Sequence, residues 1–245
     1  MPAKRLKSRV LKRKVYELLK SSDFNQSLEE LVRFPHRQVI NALLSFLYSG
    51  DDEIRWRAIS GLGAVVSKFA DEDMEGARVI LRRLMWNLND ESGGIGWGSP
   101  EAMGDILACH GGLADEYVHM LISYTREDGN YLEHELLQRG LLWGIGRLAG
   151  VRPDHAKKAA PYLIPFLKSP DSTVRGLAAW IMGLTGLEEA RPALEHLMKD
   201  EAEFLLYSGH ILEKRSVKEL AGEALNIFKN GEIKEPDECC KKNSL

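Results

Sequence analysis

An all-α stack of repeated helix pairs is the fold class this sequence predicts, and three observations predict it. ALLSFLYSGDDEIRWRAISGLGA (Ala42 to Ala64) and YLIPFLKSPDSTVRGLAAWIMGL (Tyr162 to Leu184) align without a gap at a shift of 120. Leu43, Phe46, Leu47, Ser49, Asp51, Arg55, Ala58 and Gly63 reappear as Leu163, Phe166, Leu167, Ser169, Asp171, Arg175, Ala178 and Gly183. Each copy reads as an apolar helix, a tight Gly or Pro turn, and a second helix that opens with an acid, a β-branched residue and Arg. Outside these copies the spacing is again helical, with one alternating stretch around Ser208-Gly209. Self-similar helix pairs imply stacked units that bury their apolar faces against their neighbours. The expected architecture is an α-solenoid of about five helix pairs, with an N-terminal capping helix and a small β-hairpin before the last helix.

The pattern D-x-x-V/I-R-x-x-A-x-x-x-x-G after a Leu-rich helix resembles HEAT repeats, especially the short bacterial type named after phycobilisome lyases. The resemblance implies second helices lining a concave side, with the Asp and Arg forming a polar ladder between repeats. It implies scaffold or adaptor roles more often than enzymatic ones.

Composition sets bounds. An apolar content of 44% suits a folded chain, and a net charge of −3 excludes a surface that is basic throughout. Cys109, Cys239 and Cys240 lack metal-site spacing, which predicts reduced thiols and a cytoplasmic location. No apolar run reaches the ~18 residues of a membrane span.

Residues 1–35 read as basic capping helices. Lys4, Arg5, Lys7, Arg9, Lys12, Arg13 and Lys14 crowd a stretch whose Leu11, Val15, Leu18 and Leu19 have helical spacing. This is the outer face of an end cap, or an arm for nucleic-acid phosphates or anionic lipid. A helix around Gln26 to Arg33 stops before Pro35, which pushes its predecessor out of the α region. The solenoid itself is expected over 36–229. Helix 74–88 offers Val79, Ile80, Leu84 and Leu88 as its apolar face.

Asn87 to Gly104 (NLNDESGGIGWGSPEAMG) is the least ordinary stretch. Gly93, Gly94, Gly96 and Gly98 permit positive φ, and Ser99-Pro100-Glu101 reads as a helix start with Ser as N-cap. A glycine loop feeding a helix can cradle an anion, so Gly94, Gly96, Trp97, Gly98, Ser99 and Glu101 form a candidate ligand loop; an enlarged turn closed by Trp97 is the other reading. Glu101, Asp105 and Cys109 share one helical face, expected to be solvated. His110 and the glycines after it read as a stop signal.

Asp128-Gly129-Asn130 marks a turn into YLEHELLQRGLLWGIGRLAG (Tyr131 to Gly150). Its His134-Glu135-Leu136-Leu137-Gln138 is similar to the zinc pattern H-E-x-x-H, but Gln stands where the second His belongs and an amide is a poor zinc ligand. Deoxyhypusine hydroxylases, HEAT-repeat enzymes, use several His-Glu pairs for iron, and this chain has one. His134 and Glu135 therefore read as a helix start. Leu137, Leu141, Gly144, Ile145 and Leu148 form a core stripe centred near ~40°, which places Trp143 at about 240° on the opposite side. Trp180 takes the aligned position, and Trp56 and Arg139 fall on the same side of their helices, with Gly140, Gly146, Gly176 and Gly183 leaving room for indoles or a partner backbone. Glu203 to Ser216 alternates as a hairpin, Ser216-Val217-Lys218-Glu219 is a capping box, and 230–245 is a polar tail expected to be disordered.

These readings favour a non-enzymatic module that binds a protein or peptide through Trp56, Arg139, Trp143 and Trp180. A nucleic-acid-binding solenoid similar to alkylpurine DNA glycosylases, or an accessory protein acting on a tetrapyrrole cofactor, are the alternatives. No residue set predicts catalysis, a metal or a cofactor.

Overall fold

The protein is described by a computed structural model over residues 7–89 and 96–230. It divides into two compact units, Met1–His110 and Gly111–Leu245.

In the first unit, α1 (Ser8–Leu19), α2 (Phe24–Leu31), α3 (His36–Phe46), α4 (Asp52–Glu72), α5 (Met74–Leu88) and α6 (Ser99–Cys109) follow in order. Leu11, Val15 and Leu19 of α1 are fully buried, so one stripe docks the capping helix. Buried Arg57 of α4 fixes that end: it donates to the carbonyls of Leu19 and Ser21 at 2.9 Å and pairs with Glu53 at 2.6 Å. Those carbonyls at the end of α1 have no helical partner, and a cation is the donor the helix dipole favours there. Asp51 caps α4, its carboxylate accepting from Ile54 N at 3.2 Å. Helix α4 packs against α3 on one side and α6 on another. In α5 the inward residues are Ala77, Leu81 and Leu84, so of the expected face Leu84 is buried and Val79 is half exposed. Its N-cap is Asp73, whose carboxylate accepts from Gly76 N at 2.9 Å.

The second unit contains α7 (Gly111–Ser123), α8 (Glu135–Val151), α9 (Pro153–Ala156), α10 (Ala160–Leu163) continued by a 3₁₀ turn over Ile164–Lys168, α11 (Ser172–Thr185) and α12 (Arg191–Leu197), then β1 (Glu203–Ser208), β2 (Ile211–Ser216) and α13 (Val217–Asn230). Pro161 and Pro165 break the first helix of the pair into α10 and the 3₁₀ turn, since each lacks an N–H. His110 ends α6 as expected, but Gly111 and Gly112 open α7 directly. Strands β1 and β2 pair antiparallel from Glu203↔Ser216 to Ser208↔Ile211, joined through Gly209 and His210 at φ 55° and 68°. The capping box of α13 is formed: Ser216 N donates to Glu219 at 2.9 Å and Glu219 N to Ser216 Oγ at 3.2 Å.

Second helices stack on one another within each unit: α4 on α6 in the first, and α8 on α11 on α13 in the second. Gly183 lets α11 close on α13, and Gly61 lets α4 close on α3. A Cβ at Gly61 would stand 3.0 Å from the Leu43 side chain, and one at Gly183 3.1 Å from the Ala224 backbone. Among the described residues the chain is an all-α repeat fold with one hairpin. No helix among the described residues is long and apolar enough to cross a membrane.

Candidate functional site

In the second unit the Arg of one second helix is joined to an Asp further along the chain, Asp171 at the start of α11 and Asp200 between α12 and β1. Arg139 of α8 donates through Nε to Asp171 at 2.9 Å and through Nη2 to the same oxygen. Arg175 of α11 donates to Asp200 at 2.8 Å and to the carbonyls of Ser169 and Pro170 at 2.7 and 2.9 Å. The rung thus runs from the Arg of one repeat to the acid of the next, so Asp171 and Arg175 belong to different rungs. Asp171 is also the N-cap of α11, accepting from Val174 N at 3.0 Å. Burial pushes its carboxyl up, but Arg139 and the Val174 N–H outweigh it and hold the group below the usual carboxylate range.

Trp143 does not point away from the core. It is 3% exposed, its indole N–H donates to the Tyr207 carbonyl at 2.9 Å, and its ring lies 6.0 Å from that of Tyr207. The hairpin covers this position, and a neighbouring one too: the Phe204 ring occupies the space of the missing side chain at Gly176, where a Cβ would come within 2.1 Å. A helical wheel of α8 alone cannot register a hairpin 64 residues later in the chain, and that is the physical reason for the correction. Trp180, at the aligned position of α11, stays half buried, with its ring lying on Gly146 of α8 where a Cβ would come within 2.1 Å. Trp56 is likewise half buried on α4, along a line with Ala64 and exposed Lys68. Of the four proposed anchors, the structure brings Arg139, Trp143 and Trp180 onto the stacked α8 and α11, and Trp56 lies in the other unit.

The glycine loop meets α6 differently from expectation. Gly98, at φ 73°, is the N-cap and packs on Leu47, so Ser99 is the first helical residue and Pro100 the second. Gly93 and Gly94 lie outside the described residues. Ser99 Oγ and Glu101 Oε2 are buried without a hydrogen-bond partner. The Glu101 carboxylate turns back on its own backbone N–H, which fills the place an anion would take at this helix start. Burial pushes Glu101 up to about 7, with Arg55 pulling the other way. Asp105 is 3% exposed and its carboxyl fills the space beside Gly63 of α4. The acidic face of α6 is therefore buried against α4 rather than solvated, and Gly63 was the available signal, because a glycine inside a helix costs ~1 kcal/mol and implies a close approach.

His134 caps α8, its Nδ1 accepting from Leu136 N at 3.2 Å, as expected for a helix start. Among the described residues no group of three or more His, Cys, Asp or Glu is placed to hold a metal.

These features define a helical repeat protein whose second helices carry the ladder. Residues 135–184, spanning α8 to α11, match the family model described as HEAT-like repeat. An uncharacterised protein of Archaeoglobus fulgidus is 31% identical over 116 residues, 46% of this chain and 55% of that protein, so the match spans about half of the curated relative. Among solved structures, an engineered protein superposes with a TM-score of 0.50 at 18% identity, covering 91% of this chain and 97% of its own. A designed armadillo repeat protein in complex with the peptide (KR)4 gives 0.49 at 16% identity, covering 88% and 98%. The family match thus places a HEAT-like repeat over α8 to α11, and the structural likeness shows a repeat fold.

Proposed function

We propose that the chain is a non-enzymatic binding module that holds a segment of a protein partner on the α8–α11 face of its second unit. The observation that carries this reading is the Trp180 indole, half buried with its ring against Gly146 between two stacked second helices. A large aromatic fixed in this way offers contact area with little conformational entropy left to lose, the property of binding anchors. Arg139 lies on the same pair of helices with its guanidinium held by Asp171, pre-organised for further contacts by its remaining donors. Trp143 belongs to the support of this face, locked under the hairpin, and Trp56 gives the first unit an anchor of the same kind.

Selection of peptides from a random display library on the intact protein tests this. Enriched sequences are expected to bind the wild type and to lose at least about tenfold in affinity, ~1.4 kcal/mol, against Trp180→Ala. Peptides that bind Trp180→Ala as tightly as wild type place the site elsewhere.

A further inference from the structure

The outer face of α1, in the first unit, is a surface independent of the α8–α11 face. With Leu11 at zero and ~100° per residue, the buried Leu11, Val15 and Leu19 fall between about 0° and 80°, and Lys12, Tyr16, Arg9, Lys20 and Arg13 between about 100° and 200°. All five are exposed, Tyr16 to 40%. Glu17 is the acid of this helix, and its pair with Arg13 spans 3.8 Å between two side chains that are mostly in water, so it neutralises little. Tyr16 is the lone aromatic of the basic stretch, but the fold brings a second ring to it. Phe46 of α3 stacks on Tyr16 with centroids 5.9 Å apart and planes inclined by 29°. Lys12 lies 5.2 Å over the Phe46 ring and Lys20 5.4 Å over the Tyr16 ring. Among the described residues neither ammonium is paired with a carboxylate. Arg57 holds the carbonyls of Leu19 and Ser21, so these groups stand on a fixed helix rather than a free arm.

We infer that this face binds single-stranded nucleic acid, with a base stacked on Tyr16, the phosphates on either side of it meeting Lys12 and Lys20, and Arg9 and Arg13 extending the track. Lys12 and Lys20 lie four residues before and after Tyr16, about 12 Å apart along the helix axis. A surface cation–π contact is worth about two- to fivefold in affinity, and a stacked base about five- to a hundredfold. A base therefore displaces Lys20 from the ring, and the adjoining phosphate takes up the freed ammonium. An anionic lipid surface matches only half of this arrangement, because the apolar side of α1 that would enter a bilayer is spent on the core through Leu11, Val15 and Leu19. An acidic peptide would answer the cations and leave the ring pair unused.

The test is fluorescence anisotropy of a labelled oligothymidylate of about 12 nucleotides, titrated with the intact protein at low salt. Saturable binding is expected, with log affinity falling linearly in log salt by about 0.7 for each phosphate neutralised. The double variant Lys12→Ala, Lys20→Ala should flatten that slope by about 1.4. An oligomer of the same length and charge, with abasic sites in place of the bases, should bind at least about fivefold more weakly. Tyr16→Leu should lose a similar factor with the salt slope kept, and Tyr16→Phe should bind as wild type does, because the ring rather than the hydroxyl carries the stack. If Tyr16→Leu does not fold, the abasic oligomer and the lysine variant carry the decision. Equal binding of the abasic oligomer and the oligothymidylate would show that bare charge suffices, and that overturns the inference. Absence of saturation, or a salt slope unchanged in the lysine variant, overturns it as well. Vesicles of phosphatidylcholine and phosphatidylserine in equal parts that bind wild type, while the oligothymidylate does not, would assign the face to a membrane surface instead.

Discussion

Glu101 is a residue whose chemistry was hidden in the sequence. Two acids on a helix are ordinarily solvated, and i, i+4 spacing alone does not say what covers them. The structure buries Glu101, and burial raises its pKa from 4.5 to about 7. The raised folded-state value fixes the sign: the folded chain holds a proton that the unfolded chain has released, so this contribution to stability is complete below about 4.5 and is lost as pH rises through about 7. Between pH 5 and pH 8 wild-type stability is expected to fall by on the order of 2–3 kcal/mol relative to Glu101→Gln, measured by denaturant melts of both proteins. Identical pH slopes for the two would mean that Glu101 titrates normally. At the same scale, Ser99 was legible as part of a helix start but not as a buried hydroxyl, since Gly98 takes the capping role that its type suggested.

Elements were easier to read than their contacts. The shift of 120 residues located α4 and α11, the 208–209 alternation located the hairpin, and the capping box located α13, because each rests on periodicity or on residues a few positions apart. Contacts between elements depend on distant parts of the chain, and there the sequence alone misled. It turned Trp143 outward, and it left the acidic face of α6 in solvent. The Arg139–Asp171 rung makes a prediction at this scale. Asp171 is almost fully buried while Arg139 is 41% exposed, so solvent screens part of the attraction. A double-mutant cycle of Arg139→Ala and Asp171→Ala is expected to give a coupling of about 1–2 kcal/mol in thermal or denaturant unfolding. A coupling below ~0.3 kcal/mol would show that the rung is incidental to repeat stacking.

For the whole molecule, the account joins a repeat scaffold to a binding face, and the hairpin decides which part of that face is open. Phe204 and Tyr207 cover Gly176 and Trp143, leaving Trp180 as the indole on the stacked second helices of this unit with solvent access. Repeat proteins present such faces because each unit spends its apolar surface on its neighbours and leaves the remaining side free to vary. The central claim is that Trp143 supports the fold while Trp180 binds. Comparing Trp143→Ala with Trp180→Ala, for both unfolding free energy and affinity for a selected peptide, tests it most directly. Trp143→Ala should cost about 3–5 kcal/mol of stability through the lost burial and indole hydrogen bond. Trp180→Ala should cost less than about 2 kcal/mol, because part of its ring is already in water, yet weaken the peptide at least about tenfold. Equal stability losses with unchanged affinity in Trp180→Ala would contradict the account.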